Sequence, residues 1–131
     1  MSAMIRLDHS ALYVRDLDVA RNFFVRFFNA VPSSLYQNQK TNFKSYFLSF
    51  DGSARLEIMT RPELSDQVDP QLRTGYIHLA FSVGSRDEVD RLTHLLEENG
   101  YEVVSGPRTT GDGYYESCIA GPEGNLIEIT V

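Results

Sequence analysis

The sequence predicts an α+β fold made of two copies of one strand–helix–three-strand unit, and three observations lead there. Leu7 to Val14 and Gly75 to Val83 both read as strands with one imidazole set into them, His9 in the first and His78 in the second. Setting His9 on His78 brings Phe50-Asp51-Gly52 and Arg55-Leu56-Glu57-Ile58 close to Ala120-Gly121-Pro122 and Leu126-Ile127-Glu128-Ile129, a register that drifts by only two residues over the half-chain. Each His-bearing strand is followed by an amphipathic helical pattern. At 131 residues the chain is expected to be one domain, with a first unit at about 5–60, a linker at 61–74 and a second unit at about 75–131.

Leu7 to Val14 alternates with period two, placing His9, Ala11 and Tyr13 on one face and Asp8, Ser10, Leu12 and Val14 on the other. Asp16 can cap the segment that follows. There Leu17, Ala20, Phe23, Phe24, Phe27, Phe28 and Val31 recur at helical steps, and Pro32 forbids continuation. Ser33 to Gln37 is a short strand candidate, Gln37 to Asn42 a polar turn, and Lys44 to Phe50 a strand with Tyr46, Leu48 and Phe50 in alternation. Asp51-Gly52 turns the chain into Arg55 to Met59, a hairpin that puts Glu57 on the face of Arg55 and Met59.

Arg61 to Thr74 carries Pro62, Pro70 and scattered charges with few apolar residues, which suits a linker. Gly75 to Val83 then reads as a buried strand. Ser85-Arg86-Asp87-Glu88 matches a capping box, Val89, Leu92, Leu95 and Leu96 supply a core face, and Asn99-Gly100 stops the helix. Tyr101 to Ser105, Tyr114 to Ile119 and Leu126 to Val131 complete the second set of strands, separated by Gly106-Pro107 and by Gly121-Pro122-Glu123-Gly124.

The formal net charge of -6 and the absence of any Lys/Arg run exclude nucleic acid as the expected partner, because phosphate binding draws on clustered cations. No apolar run approaches the roughly 18 residues needed to span a bilayer, and Met1 to Ile5 has no signal-peptide anatomy, so the expectation is a cytoplasmic chain away from membranes. Cys118 is the one cysteine. It excludes an intramolecular disulfide and a thiolate cluster, and reads as a small buried strand residue.

Ionised carboxylates are rarely buried without partners, yet Glu57 stands between Leu56 and Ile58 and Glu128 between Ile127 and Ile129. If the Glu-bearing face lines a cavity, those charges need a cation. No Lys holds a corresponding position in either half, and Arg55 is the nearby cation in sequence. A divalent metal held by His9, Glu57, His78 and Glu128 satisfies all four. Two imidazoles and two carboxylates suit nickel or zinc, and also manganese, iron or cobalt; ligand type alone does not choose. His94, off the leucine face of its helix, reads as solvent-exposed.

At these residues the chain resembles the vicinal oxygen chelate superfamily, in its glyoxalase I and bleomycin resistance protein branch. The resemblance rests on the repeated unit, the His in the first strand and Glu in the last strand of each half, and Gly121-Pro122-Glu123-Gly124-Asn125 before the final Glu. It covers essentially the whole chain. It implies curved mixed sheets around a metal-binding cleft, a homodimer, and a metal that chelates adjacent oxygens of a small-molecule substrate and stabilises an enediolate. In glyoxalase I a proton moves between adjacent carbons of a hemithioacetal, giving a thioester.

By that similarity Glu128 is the mobile base and Glu57 its symmetric alternative. Glutathione-dependent relatives place an Arg and an Asn where this chain has Tyr13 and Arg61. Those two are the substrate-binding candidates, and glutathione or another thiol is an open co-substrate. The expected activity is therefore a metal-dependent, glyoxalase-like lyase or isomerase of the lactoylglutathione lyase type. The alternatives are an epimerase, a thiol transferase, and a bleomycin-resistance-type protein that binds its ligand without turnover.

Overall fold

The computed structural model describes residues 4–66, 69, 71–72 and 74–131. The chain divides into two units, Met1–Ser65 and Asp66–Val131, and the boundary falls inside the expected linker. Of that linker, Gln67, Val68, Pro70 and Arg73 lie outside the described residues, as do Met1 to Ala3. The described part of 61–74 contains no helix or strand.

In the first unit, β1 (His9–Tyr13) runs parallel to β5 (Arg55–Thr60), and β5 is antiparallel to β4 (Phe43–Ser49). A parallel pair needs a long crossover. Here it carries α1 (Leu17–Phe28), whose buried Leu17, Ala20, Phe23, Phe24 and Phe27 face the sheet's Leu48, Leu56 and Ile58. The Asp16 carboxylate accepts from the Val19 amide at 3.1 Å, as a cap should. The helix ends earlier than its apolar pattern does. Asn29 turns left-handed (φ 55), and Val31 leaves the helix for strand β2 (Val31–Pro32), where it is exposed.

The expected strand at Ser33 to Gln37 is instead two short pieces, β2 and β3 (Tyr36–Asn38), both antiparallel to β4. The split is a shift in register: Pro32 pairs with Leu48 but Tyr36 with Ser45, so one extra residue lies between the two ladders. Ser33 restores the connection, with its amide donating to the Phe47 carbonyl at 2.7 Å and its hydroxyl accepting from the Phe47 amide at 2.9 Å.

The second unit follows the expected order. It comprises β6 (His78–Ser82), α2 (Arg86–Glu98), β7 (Val103–Thr109), β8 (Tyr115–Ala120) and β9 (Leu126–Thr130), with sheet order β6-β9-β8-β7. Again the first strand is parallel to the last. Strand β6 is shorter than Gly75 to Val83 and half-open rather than buried, with Tyr76 fully exposed before it.

Ser85 caps α2 through the Glu88 amide at 3.2 Å, while the Glu88 carboxylate is engaged by Arg91 at 2.8 Å. Leu95 is only half-buried. Thr93 takes the core place instead, its hydroxyl donating to the Val89 carbonyl and sharing a 2.6 Å bond with Ser117. Gly106-Pro107 does not end β7, which passes through it with a register shift against β8.

Gly121 is required by close approach: a Cβ there would lie 2.7 Å from the Ile127 side chain. The turn it opens, Pro122–Gly124, feeds β9. The core below is Val89, Leu92, Leu96, Ile119, Ile127 and Ile129.

Candidate metal centre

Strand register sets the functional side chains. In the first unit His9 lies opposite Arg55 and Ala11 opposite Glu57; in the second His78 lies opposite Leu126 and Ala80 opposite Glu128. Alternation along β5 and β9 sends Leu56, Ile58, Ile127 and Ile129 into the core, which leaves both glutamates on the opposite face with the histidines. The neighbouring alanine presents only a methyl, so each carboxylate has space beside it.

His78 Nε2 lies 3.1 Å from Glu128 Oε1, and His9 Nε2 lies 3.9 Å from Glu57 Oε1. The glutamate side chains are 18% and 22% exposed, so water is largely withdrawn from them. Two donors each about 2.0–2.2 Å from one divalent ion sit roughly 3 Å apart when adjacent. The second pair meets that spacing, and the first is wider by nearly an ångström. Among the described residues no group of three or more His, Cys, Asp or Glu gathers as a metal site. The four expected ligands are thus brought together as two His–Glu pairs, one on each unit.

The donor chemistry fits a metal. His9 Nδ1 is 2.7 Å from Asp8 Oδ2, and an ionised carboxylate only accepts, so Nδ1 carries the hydrogen. With that hydrogen on Nδ1, Nε2 is the nitrogen that faces Glu57. Two electron-rich atoms facing one another are stabilised by a cation or a proton between them.

Alternation along the first strand predicts Asp8 on the face away from His9, but Asp8 precedes β1 and is free of its pleat. Hydrogen bonds from His9 and then Arg55 hold its carboxyl below the ordinary value. Arg55 therefore serves Asp8, at 3.1 Å, and lies over the Phe47 ring.

Glu116 carries no signal in the half-chain repeat, and Cys118 is half-buried rather than buried. Both lie on β8 in alternation, with Cys118 opposite Glu128 and Glu116 opposite Thr130. Burial pushes the Glu116 carboxyl up, and the charge of Glu128 and a hydrogen bond shared with it push it further. Burial, then Glu128 and Glu116, push the Cys118 thiol up as well. Thr130 Oγ1 is enclosed on the same strand, two residues beyond Glu128, with no hydrogen-bond partner among the described residues.

Tyr13 and Arg61 come together at the far end of β1 and β5. The Arg61 guanidinium donates to Glu63 Oε2 at 2.6 Å, and that bond, followed by one with Tyr13, raises it above its ordinary value. His94 is exposed and lies 2.9 Å from Glu98, apart from the pairs in sequence and on a helix.

Comparison with known proteins points one way. The model of the Glyoxalase/Bleomycin resistance protein/Dioxygenase superfamily matches residues 6–129. The uncharacterized protein YqjT of Bacillus subtilis (strain 168) is 30% identical over 129 residues, covering 94% of this chain and 96% of that protein. Among solved structures, a glyoxylase/bleomycin resistance protein/dioxygenase domain from Frankia sp. EAN1pec superposes with a TM-score of 0.82 at 17% identity, covering 98% of each chain. A glyoxalase family protein from Bacillus cereus also gives 0.82, at 21% identity, over 98% of this chain and 95% of that one. The trypanothione-dependent glyoxalase I of Leishmania major gives 0.76 at 17% identity, over 97% of this chain and 86% of that one.

Proposed function

This chain belongs to the Glyoxalase/Bleomycin resistance protein/Dioxygenase superfamily, and on that premise we propose that it is a metal-dependent, glyoxalase-like lyase or isomerase acting on a small oxygenated substrate. Support comes from one observation above the others. Both units face an imidazole Nε2 with a carboxylate oxygen from the adjacent parallel strand, at the same register and beside the same small residue. A binding protein has no need for that repeated constellation. A proton-transfer enzyme does.

We take His9, Glu57, His78 and Glu128 to act as one donor set in a homodimer, the two pairs meeting either within one chain or across the dimer. When bound, a divalent ion such as nickel or zinc would supply Lewis acidity that makes a carbon-bound proton beside a carbonyl easier to remove. Glu128 is the base in this reading. Its Oε1 accepts the proton from one substrate carbon and returns it to the next, and Glu57 is the symmetric candidate. Ala80 and Ala11 leave room for the substrate beside each carboxylate, and Cys118 of β8 stands opposite Glu128. Tyr13 and Arg61 form the polar end where a substrate carboxylate or a thiol's polar tail would be held.

The test is deuterium exchange and product formation from methylglyoxal with glutathione and other thiols, followed by epimerase substrates. Glu57→Gln and Glu128→Gln are each expected to slow metal-dependent exchange, by about 10²–10⁴-fold for the residue that is the base. Unchanged rates in both variants would remove the carboxylate-base mechanism. A protein that retains its small-molecule ligand after chelation and turns nothing over would instead be a bleomycin-resistance-type binder.

A further inference from the structure

Beneath the symmetry of the two pairs lies an asymmetry. His9 is preceded by Asp8 and faces Arg55 across the sheet, whereas His78 is preceded by Ile77 and faces Leu126. The first imidazole sits in a built frame. Asp8 Oδ2 receives His9 Nδ1 at 2.7 Å and the Arg55 guanidinium at 3.1 Å, and the Asp8 carbonyl accepts the Arg55 amide at 3.1 Å. Arg55 in turn lies 4.4 Å above the Phe47 ring, whose edge-on contact with the His9 ring is 5.3 Å between centroids. Three residues thus fix one ring in position and rotation.

We propose that Asp8, held by Arg55, is the positioning residue that locks His9 in its Nδ1–H tautomer and so presents Nε2 as the ready metal-ligating nitrogen. The inference rests on the metal reading above and deepens it. Free imidazole favours the opposite tautomer, with the hydrogen on Nε2, which would have to be shed or moved before that nitrogen could bind. A carboxylate on the far nitrogen removes that step and raises ligand basicity, as outer partners of ligating histidines do. His78 has no carboxylate at the equivalent sequence position. His9 is therefore the pre-set ligand, and His78 is the one that adapts.

The experiment uses the full chain and two readouts. In the metal-free protein at about pH 8, long-range proton–nitrogen spectra should show His9 as Nδ1–H. In Asp8→Ala they should show it moved toward Nε2–H, with His78 unchanged. Nickel and zinc affinity, measured by competition with a chromophoric chelator, should fall about 10- to 100-fold in Asp8→Ala. Asp8→Asn, whose amide oxygen still accepts from Nδ1, should restore the tautomer and most of the affinity. Asp8→Ala with wild-type tautomer and wild-type affinity overturns this inference while leaving the metal reading intact. A wild-type chain that takes up neither metal overturns the metal reading itself, whatever the His9 tautomer.

Discussion

At the scale of single residues, Glu128 sets the electrostatics of the second unit's open face. Cys118 reports on it directly, because burial and the Glu128 and Glu116 carboxylates all disfavour the thiolate. Alkylation of the metal-free protein with iodoacetamide should therefore show a pH midpoint above the ordinary thiol value of 9.0, and Glu128→Gln should bring it down. A midpoint unmoved by that substitution would contradict the facing of Cys118 and Glu128. The His and Glu pairs were legible in the sequence because the half-chain repeat lined them up. Asp8 was misread: alternation assigned it to the wrong face, since alternation holds only inside a strand and Asp8 stands just outside one. Glu116 was invisible for another reason, as its partner Glu128 is brought to it by antiparallel pairing of β8 with β9.

At the scale of elements, the places where the sequence reads well are those with local chemistry. Asp16 and Ser85 cap their helices as their positions predict, and the Phe stripe of α1 and the Leu face of α2 pack inward. Ser85→Ala should cost about 1 kcal/mol, read as a lower melting temperature. The elements that read poorly depend on partners distant in sequence. Strand β7 continues through Gly106-Pro107 because β8 pairs with it on both sides of a bulge, and no local signal carries that. Gly106 has φ +79, and an added Cβ would lie 2.5 Å from the Glu116 carbonyl oxygen. Gly106→Ala should destabilise the unit by roughly 1–3 kcal/mol, whereas Gly111→Ala, where nothing lies within 4 Å, should change stability by less than about 0.5 kcal/mol. Equal melting temperatures for the two variants would contradict the bulge.

At the scale of the whole molecule, the repeat is the legible feature. Two units of one α+β plan were expected from the half-chain repeat, and family membership agrees; the parallel pair between the first and last strand of each unit carried no signal in the sequence. The first unit departs from the plan only at its edge, where a one-residue shift in register against β4 breaks one strand into two. No helix among the described residues is long and apolar enough to cross a membrane. Each unit supplies one imidazole and one carboxylate, half of the donor set proposed for the ion. The proposed metal centre draws on both pairs, brought together within one chain or across a dimer. Metal content by mass spectrometry, on protein purified without added metal or chelating resin, tests it in the unmodified chain and in His9→Ala and His78→Ala separately. About one ion per chain is expected in the first and loss in either single variant, since metal bound by both pairs is lost with either. Full metal retention in one variant, or no metal in the unmodified chain after reconstitution with nickel, zinc or manganese, would contradict it.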